Sequence, residues 1–142
     1  MNIQREQLIQ SWITSVLGSD KFEINYLAGD ASFRRYARIH FNNKSFMLMD
    51  APPDKEDCAP FVTIDEFFHE NGVRVPQIIS KDLTQGFLLL EDFGDILLST
   101  LLNDETVDLY YEQSFKQLIQ LQQIDGMGSF PEYSYEKLIS EM

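Results

Sequence analysis

The chain has few of the residues on which metal centres and disulfide scaffolds depend. It contains one cysteine, Cys58, and two histidines among 142 residues. A single cysteine excludes an intrachain disulfide and is typical of a reducing compartment. The two histidines, His40 and His69, stand far apart in the sequence and are more typical of surface residues than of metal ligands. The sequence therefore predicts neither a disulfide framework nor a histidine metal site.

Basic residues and long hydrophobic runs are also scarce. Eleven Lys and Arg stand against 23 Asp and Glu, which gives a net charge of −12. Nucleic acids and anionic membrane surfaces would repel such a chain, so neither is an expected partner. The longest strongly apolar run, residues 87–90, is far too short to span a bilayer, and the polar N-terminus lacks the apolar segment of a signal peptide. We expect a cytoplasmic protein.

What the chain does contain is typical of a folded protein. Hydrophobic residues make up 44% of it, with 11 Phe and 6 Tyr, which excludes a disordered tail. A length of 142 residues suffices for one domain, or for a small lobe with part of a second. The pattern of elements favours the second arrangement.

The hydrophobic periodicity predicts an α+β fold in the first two thirds of the chain. Apolar residues at helical spacing between Leu8 and Leu17 predict a first helix, which Gly18 ends. A second helix is predicted from Pro60 to Gly72, between the third and fourth strands. The predicted strands are residues 22–27, 33–41, 45–51, 77–80 and 87–90. Together they predict a five-stranded antiparallel sheet with an inserted helix.

The last third of the chain is predicted to be helical. A short helix over 96–102 is followed by a long one from Asn103, interpreted as its N-cap, to about Ile124. A further helical pattern begins near Phe130 and reaches Met142 without a cap. The long helix carries an apolar stripe for which this chain offers no cover, so we expect a homodimer or a swapped assembly. The stripe consists of Val107, Tyr110, Tyr111, Leu118 and Leu121.

A turn of small residues followed by arginines is the most informative motif. Arg34, Arg35 and Arg38 place three of the 11 basic residues within five positions. Exposed backbone N–H groups and guanidinium groups together suit a phosphate ligand. Ion pairs across a solvated strand face are the alternative, and the sequence leaves both interpretations open. The turn consists of Gly29, Asp30, Ala31 and Ser32.

Strand alternation separates the two adjacent arginines. In the strand predicted over 33–41, Arg35 shares a face with Ala37 and Ile39. Arg34 shares the opposite face with Arg38. The two guanidinium groups are therefore expected on different sides of the sheet.

Four segments of the chain resemble the aminoglycoside-phosphotransferase superfamily, which has a protein-kinase-like fold. They are similar above all to its N-acetylmuramate/N-acetylglucosamine anomeric kinases of cell-wall recycling. The resemblance covers the chain from about Leu27 onward. The segments are residues 29–36, 49–53, 72–76 and 86–95, the last reading GFLLLEDFGD.

The resemblance implies an ATP-dependent small-molecule kinase that acts with Mg²⁺ on an amino sugar. Residues 1–94 would form the kinase-like N-terminal lobe, and residues 95–142 would continue from the hinge region into the first helices of an incomplete C-terminal lobe. No catalytic or metal-binding residue is expected here, because the family carries them in the large lobe. The chain alone would be inactive. Alternatives are an aminoglycoside, choline or homoserine kinase, or a non-catalytic kinase-like interaction module.

The resemblance also assigns candidate nucleotide contacts. Gly29, Asp30, Ala31 and Ser32 would form the loop that covers the phosphates. Glu91, Asp92 and Phe93 would form the hinge, whose backbone binds adenine, with Leu90 near the gatekeeper position.

Two positions depart from the kinase pattern. Met49 stands where kinases place the third-strand lysine, and Phe61 where the partnering glutamate lies. Replacing the lysine and the glutamate together avoids the unpaired buried charge that replacing only one of them would leave. The phosphate contact would then pass to Arg34 or Arg35.

Overall fold

The computed structural model describes residues 3–29, 33–126, 130 and 134–140. The chain divides into two compact units, Met1–Asp95 and Ile96–Met142. This division lies one residue from the boundary predicted between 94 and 95. No helix among the described residues combines the length and the apolar character that crossing a bilayer requires.

The first unit is built on a five-stranded antiparallel sheet with the strand order β1-β2-β3-β5-β4. Helix α1 precedes the sheet, and helix α2 connects β3 to β4. The predicted α+β class, with five antiparallel strands and an inserted helix, is confirmed. The elements are α1 Ile3–Leu17, β1 Glu23–Tyr26, β2 Arg35–Phe41, β3 Lys44–Asp50, α2 Ala59–Glu70, β4 Ile78–Asp82 and β5 Phe87–Glu91.

A tight hairpin fixes the register of β2 against β3. Asn42 and Asn43 have φ angles of 48° and 60°, the left-handed region that asparagine tolerates better than most residues. Phe41 pairs with Lys44 across this turn, and the pairing continues to Arg35 opposite Asp50. A slip of one residue would move every side chain of β2 to the other face. The turn thereby decides which arginine faces which helix.

Each face of the sheet buries its own apolar cluster against one helix. The face that packs against α1, here called the α1 face, buries Ile9, Ile13, Ala37, Ile39, Leu48, Phe87 and Leu89. The opposite face, here called the α2 face, buries Met49, Ala51, Cys58, Val62, Leu88 and Leu90. Burying one large apolar side chain contributes roughly 1.5–3 kcal/mol. The two clusters together hold both helices on the sheet.

The turn between β4 and β5 requires glycine at position 86. Gly86 has a φ of +72°, and a Cβ there would lie 1.8 Å from the carbonyl oxygen of Ala51. The Ala51 N–H donates a 2.8 Å hydrogen bond to the Gly86 carbonyl. This close approach of two backbones closes the sheet where β3 ends.

The second unit contains the helices α3 Leu98–Leu101, α4 Val107–Gln122 and α5 Tyr135–Ser140. The long helix predicted from Asn103 begins at Val107 instead. The Asn103 side chain accepts hydrogen bonds from the N–H groups of Glu105 and Thr106, at 2.9 and 3.0 Å. It therefore closes a turn before the helix and is not the N-cap, which is Thr106.

The predicted apolar stripe of α4 is partly exposed within this unit. Tyr111 is 46% exposed and Leu118 is 54% exposed. No residue of α4 is buried. Of the helical pattern predicted near the C-terminus, residues 131–133 and 141–142 lie outside the described part of the chain.

Candidate functional site

The structure places the two adjacent arginines on opposite faces of the sheet, as strand alternation predicts. Arg35 is the first residue of β2 and lies on the α1 face, where it contacts Asp50. Arg34 lies on the α2 face, beside the ring of Phe61. Each guanidinium group therefore has a different set of neighbours.

Arg35 belongs to a buried ionic network centred on Asp50. The Asp50 side chain is fully buried, and its Oδ2 accepts a 2.9 Å hydrogen bond from Arg35 Nε. Its Oδ1 accepts hydrogen bonds from Arg5 Nε and Nη2, at 2.9 and 2.7 Å. Arg5 Nη2 also donates to the backbone carbonyl of Gln85, at 2.6 Å. One carboxylate therefore ties α1, β2, β3 and the β4–β5 turn together.

Glu6 and Tyr26 complete this network at its outer edge. Arg35 Nη1 donates to Glu6 Oε1 at 2.9 Å, and the Tyr26 hydroxyl donates to Glu6 Oε2. Burial alone would raise the pKa of Glu6, but the hydrogen bonds from Tyr26 and Arg35 outweigh it and lower that pKa. Burial and the Glu6 carboxylate raise the pKa of Tyr26. Two carboxylates thus bind Arg35, and this geometry favours a structural role for it.

Arg34 pairs with a partly exposed carboxylate on the α2 face, and its own side chain is 27% exposed, against 36% for Arg35. Its Nε and Nη2 donate to Glu56 Oε1 at 2.9 and 2.7 Å, and its Cζ lies 5.9 Å from the Phe61 ring centroid. Burial opposes the charge of Arg34, but the hydrogen bond to Glu56 outweighs it and raises the pKa of the guanidinium. About a quarter of each side chain of this ion pair is exposed. Arg34 is therefore a cation at the surface of the α2 face.

The loop that contains the small-residue motif joins β1 to β2 beside Arg34. The N–H of Leu27 donates a 2.9 Å hydrogen bond to the carbonyl of Tyr36, so the two strands stay paired up to the loop. Gly29 is exposed, and a Cβ at that position would meet no atom within 4 Å. The other predicted loop contacts, Asp30, Ala31 and Ser32, lie outside the described residues.

The structure brings the positions of Met49, Phe61 and Leu90 into one apolar cluster. Met49 is fully buried, Leu90 is 4% exposed, and Phe61 packs against the same cluster. The Tyr36 hydroxyl donates to the sulfur of Met49 at 3.4 Å. Joint replacement of a lysine and a glutamate by apolar residues fits this packing, because the buried members of the cluster are all apolar. Nucleotide contact by Met49 or Leu90 stays a prediction.

The segment predicted as the hinge, residues Glu91–Phe93, begins at the last residue of β5. The N–H of Glu91 donates to the Gln77 carbonyl at 2.8 Å, which fixes the start of the hinge to the edge of β4. The side chain of Phe93 is 58% exposed, with the Arg74 guanidinium 4.6 Å above its ring centroid. Within the described residues, the backbone N–H and carbonyl of Phe93 form no hydrogen bond. The start of the predicted hinge is therefore held at β4, and Phe93 lies beneath the Arg74 guanidinium.

Ion pairs fix the hinge from two sides. On one side, the Arg74 guanidinium donates to both carboxylate oxygens of Glu91 and lowers the pKa of that carboxyl group. On the other, Arg38 Nε donates to Asp92 Oδ2 at 2.6 Å, and Arg38 Nη2 donates to Asp95 Oδ1 at 2.8 Å. Sequence reasoning grouped Arg38 with the basic motif and missed this contact. No local sequence pattern marks this contact, because its partners lie 54 and 57 positions away in the chain.

The three arginines of the motif all form ion pairs, which was the alternative interpretation of the sequence. Among the described residues, no group of three or more His, Cys, Asp or Glu side chains is placed to hold a metal ion. The α2 face combines the partly exposed Arg34, the apolar cluster around Met49 and the predicted hinge.

Comparison with known proteins gives the family. The phosphotransferase enzyme family APH matches residues 23–141. A relative in Pseudomonas aeruginosa named N-acetylmuramate/N-acetylglucosamine kinase is 40% identical over 115 residues, which are 81% of this chain and 34% of that protein. A relative of the same name in Neisseria meningitidis is 32% identical over 145 residues, covering 99% of this chain and 43% of that protein. The chain thus spans about a third to two fifths of the length of these relatives, and it belongs to the phosphotransferase enzyme family.

Proposed function

We propose that this chain is the N-terminal, nucleotide-binding part of an ATP-dependent kinase that phosphorylates N-acetylmuramate or N-acetylglucosamine. The observation that carries the proposal is the similarity to kinases of these two sugars, which extends over 99% of the chain in one relative. The α+β lobe with a sheet, an inserted helix and a hinge supports it. An aminoglycoside, choline or homoserine kinase is the nearest alternative within the same family.

In this proposal the lobe binds the nucleotide through its backbone and one cation. The N–H and carbonyl of Phe93, which form no hydrogen bond within the described part of the chain, would hydrogen-bond the adenine edge. The exposed part of Arg34, beside the loop that begins at Gly29, would donate charge-assisted hydrogen bonds to phosphate oxygens. Bound ATP supplies the phosphoryl group, and the lobe lowers the barrier by holding it in position.

The proposal assigns no metal and no catalytic base to this chain. The resemblance places those groups in the large lobe of the complete enzyme. What this chain would contribute is orientation of ATP and neutralisation of its charge.

The decisive experiment measures ADP formation by the complete gene product that carries this chain. The candidate acceptors are N-acetylmuramate, N-acetylglucosamine, an aminoglycoside, choline and homoserine, each with ATP and Mg²⁺. We expect turnover with the two amino sugars and a product phosphorylated on the anomeric hydroxyl, identified by NMR. Turnover with another acceptor alone would replace the sugar assignment, and no ATP use with any acceptor would overturn the kinase proposal.

Arginine variants test the phosphate contact within the same assay. Arg34→Gln should raise KM for ATP about tenfold, because a charge-assisted hydrogen bond is worth roughly 1.5–3 kcal/mol. Arg35→Gln should leave KM for ATP unchanged in the folded enzyme. Lys81→Gln removes one positive charge from an exposed pair with Glu66 and serves as the control. Equal KM values for Arg34→Gln and the control would reject the assignment.

An interaction module is a second candidate, favoured by the apolar side chains exposed on the second unit. Tyr111, Phe115 and Leu118 of α4 are each about half exposed. Such a surface is typical of association sites. The predicted homodimer or swapped assembly is tested by sedimentation of the chain, where a stable monomer at high concentration would contradict it.

A further inference from the structure

Arg38 connects the middle of the sheet to the segment that follows β5. Its Nε donates to Asp92 Oδ2 at 2.6 Å, and its Nη2 donates to Asp92 Oδ1 at 3.1 Å. Its Nη1 and Nη2 also donate to the two carboxylate oxygens of Asp95. All three nitrogens of the Arg38 guanidinium group thus donate hydrogen bonds to the carboxylates of Asp92 and Asp95.

The strand order makes this a contact across β3. β2 and β5 are not neighbours, because β3 lies between them. Arg38 pairs in register with Met47 of β3, which in turn pairs with Leu90 of β5. The Arg38 side chain therefore passes over β3 on the α2 face to reach the hinge. The hydrogen bonds of the sheet do not hold the chain beyond Glu91, because β5 ends at that residue.

The carboxylate of Asp92 links this ion pair to the hinge backbone. Asp92 Oδ1 also accepts a 2.9 Å hydrogen bond from the N–H of Gly94. Its side chain is 3% exposed, and that of Arg38 is 15% exposed. The Arg38 hydrogen bonds lower the pKa values of Asp92 and Asp95, so both carboxylates are charged at neutral pH. The Arg38–Asp92 half of the contact is thus largely shielded from water, unlike an ordinary surface ion pair, whereas the Asp95 half is exposed.

We propose that Arg38 is a positioning residue for nucleotide binding, which holds the hinge backbone at Asp92 and Phe93 in the geometry that adenine requires. The inference rests on the function proposed above. Backbone recognition of a base depends on a fixed spacing between N–H and carbonyl groups, because hydrogen bonds weaken steeply when misaligned. Arg38 reaches the hinge through Asp92 and acts through that residue.

This role predicts a selective defect. A loosened hinge loses affinity for adenine and loses discrimination between adenine and guanine, whereas sugar binding and the folded sheet are retained. A purely structural ion pair would lower stability without changing the ratio of KM values for ATP and GTP.

The experiment compares Arg38→Gln, Arg38→Lys and Asp95→Asn with the control Lys81→Gln, in the complete gene product. KM is measured for ATP, for GTP and for the sugar, and amide hydrogen exchange is measured at residues 91–95. Arg38→Gln should raise KM for ATP about tenfold, lower the ATP over GTP preference by a similar factor, and speed exchange at the hinge. Arg38→Lys should lie between Arg38→Gln and the wild type, because lysine cannot reproduce the bidentate contact.

The outcomes separate this inference from the function on which it rests. Normal ATP use by the wild type, with unchanged KM ratios and hinge exchange in Arg38→Gln, overturns the inference alone. No ATP use by the wild type overturns the proposed function and the inference together. If Arg38→Gln fails to fold, Arg38→Lys gives the answer, because it keeps a cation beside Asp92 without the bidentate contact, and unchanged KM ratios and hinge exchange in that variant overturn the inference.

Discussion

The two faces of the sheet use the same residue type in different ways at adjacent positions. On the α1 face, Arg35 contacts a fully buried Asp50 and a second carboxylate, Glu6. On the α2 face, Arg34 donates to Glu56, and both side chains of that pair are partly exposed. The first arrangement pairs the guanidinium group with two carboxylates, one of them fully buried, whereas the second pairs it with a carboxylate that is itself partly exposed.

We expect this difference to separate residues that stabilise the fold from residues that bind the nucleotide. Removing a partner from the α1 face leaves charges unpaired in a buried place, which is costly. Removing Glu56 from the α2 face leaves the charge of Arg34 where water already reaches it, which costs little. We therefore expect substitutions on the α1 face to act on the free energy of unfolding and substitutions on the α2 face to act on nucleotide affinity.

The largest effect is expected at the centre of the α1 network. Asp50→Ala removes the acceptor of four hydrogen bonds and leaves Arg5 and Arg35 without their shared partner. We expect the free energy of unfolding to fall by about 4 kcal/mol. Urea denaturation followed by circular dichroism measures it. A loss as small as that of Glu56→Ala on the α2 face would remove the distinction between the faces.

A second large effect is expected where the β4–β5 turn meets the end of β3. Gly86→Ala would force a Cβ into the carbonyl oxygen of Ala51, in addition to the strain of a positive φ. We expect a loss of about 3 kcal/mol in the free energy of unfolding. Gly94→Ala is the matched control, because Gly94 also has a positive φ but no neighbour within 4 Å. Equal losses of unfolding free energy in Gly86→Ala and Gly94→Ala would show that the close approach to Ala51 adds nothing to the cost of a side chain at position 86.

The two arginines themselves provide the sharpest comparison. Arg35→Gln should lower the free energy of unfolding by about 2 kcal/mol, since it breaks charge-assisted hydrogen bonds to Asp50 and Glu6. Arg34→Gln should lower it by less than about 1 kcal/mol. Thermal denaturation of the two variants side by side checks this order. The reverse order would contradict the assignment of stability to the α1 face.

A smaller, pH-dependent effect is expected from Glu6. Its pKa is lowered from the ordinary value of 4.5, so the folded state binds a proton there less readily than the unfolded chain does. The stabilisation is complete above the unfolded pKa and disappears as the pH falls through the folded value. The difference in melting temperature between wild type and Glu6→Gln should be constant above about pH 5 and shrink below about pH 4. A difference independent of pH would exclude this contribution.

The smallest effect is expected at a surface ion pair outside both networks. Lys81 and Glu66 are each about half exposed. Lys81→Gln should change the free energy of unfolding by no more than about 0.5 kcal/mol. A larger loss of unfolding free energy in urea denaturation would mean that exposed ion pairs stabilise this sheet as much as buried ones.

Much of the fold could be predicted from local sequence signals. The alternation along β2 predicted the separation of Arg34 from Arg35, and the structure confirms it. The start of the long helix was wrong, because the side chain of Asn103 closes a local turn and leaves Thr106 as the N-cap. Short polar side chains compete for the same backbone N–H groups in turns and caps, and the sequence does not decide between the two uses.

The candidate site was less predictable than the fold. The position of Met49 among apolar residues agrees with its hydrophobic character, but its complete burial depends on α2 covering the sheet. The partners of Arg35 and Arg38 lie 15 to 57 positions away in sequence, on other elements. Ion pairs of this kind carry no local periodicity, so sequence patterns do not reveal them.

The sequence by itself determined the α+β class, the strand faces and the family, because these follow from side-chain spacing, turn chemistry and motif similarity. Only the tertiary structure decided that Asp50 binds two arginines and that Arg38 holds the segment after β5. The physical reason is that spacing fixes the direction of a side chain relative to its own strand, whereas its partner is chosen by how strands and helices from distant parts of the chain pack together.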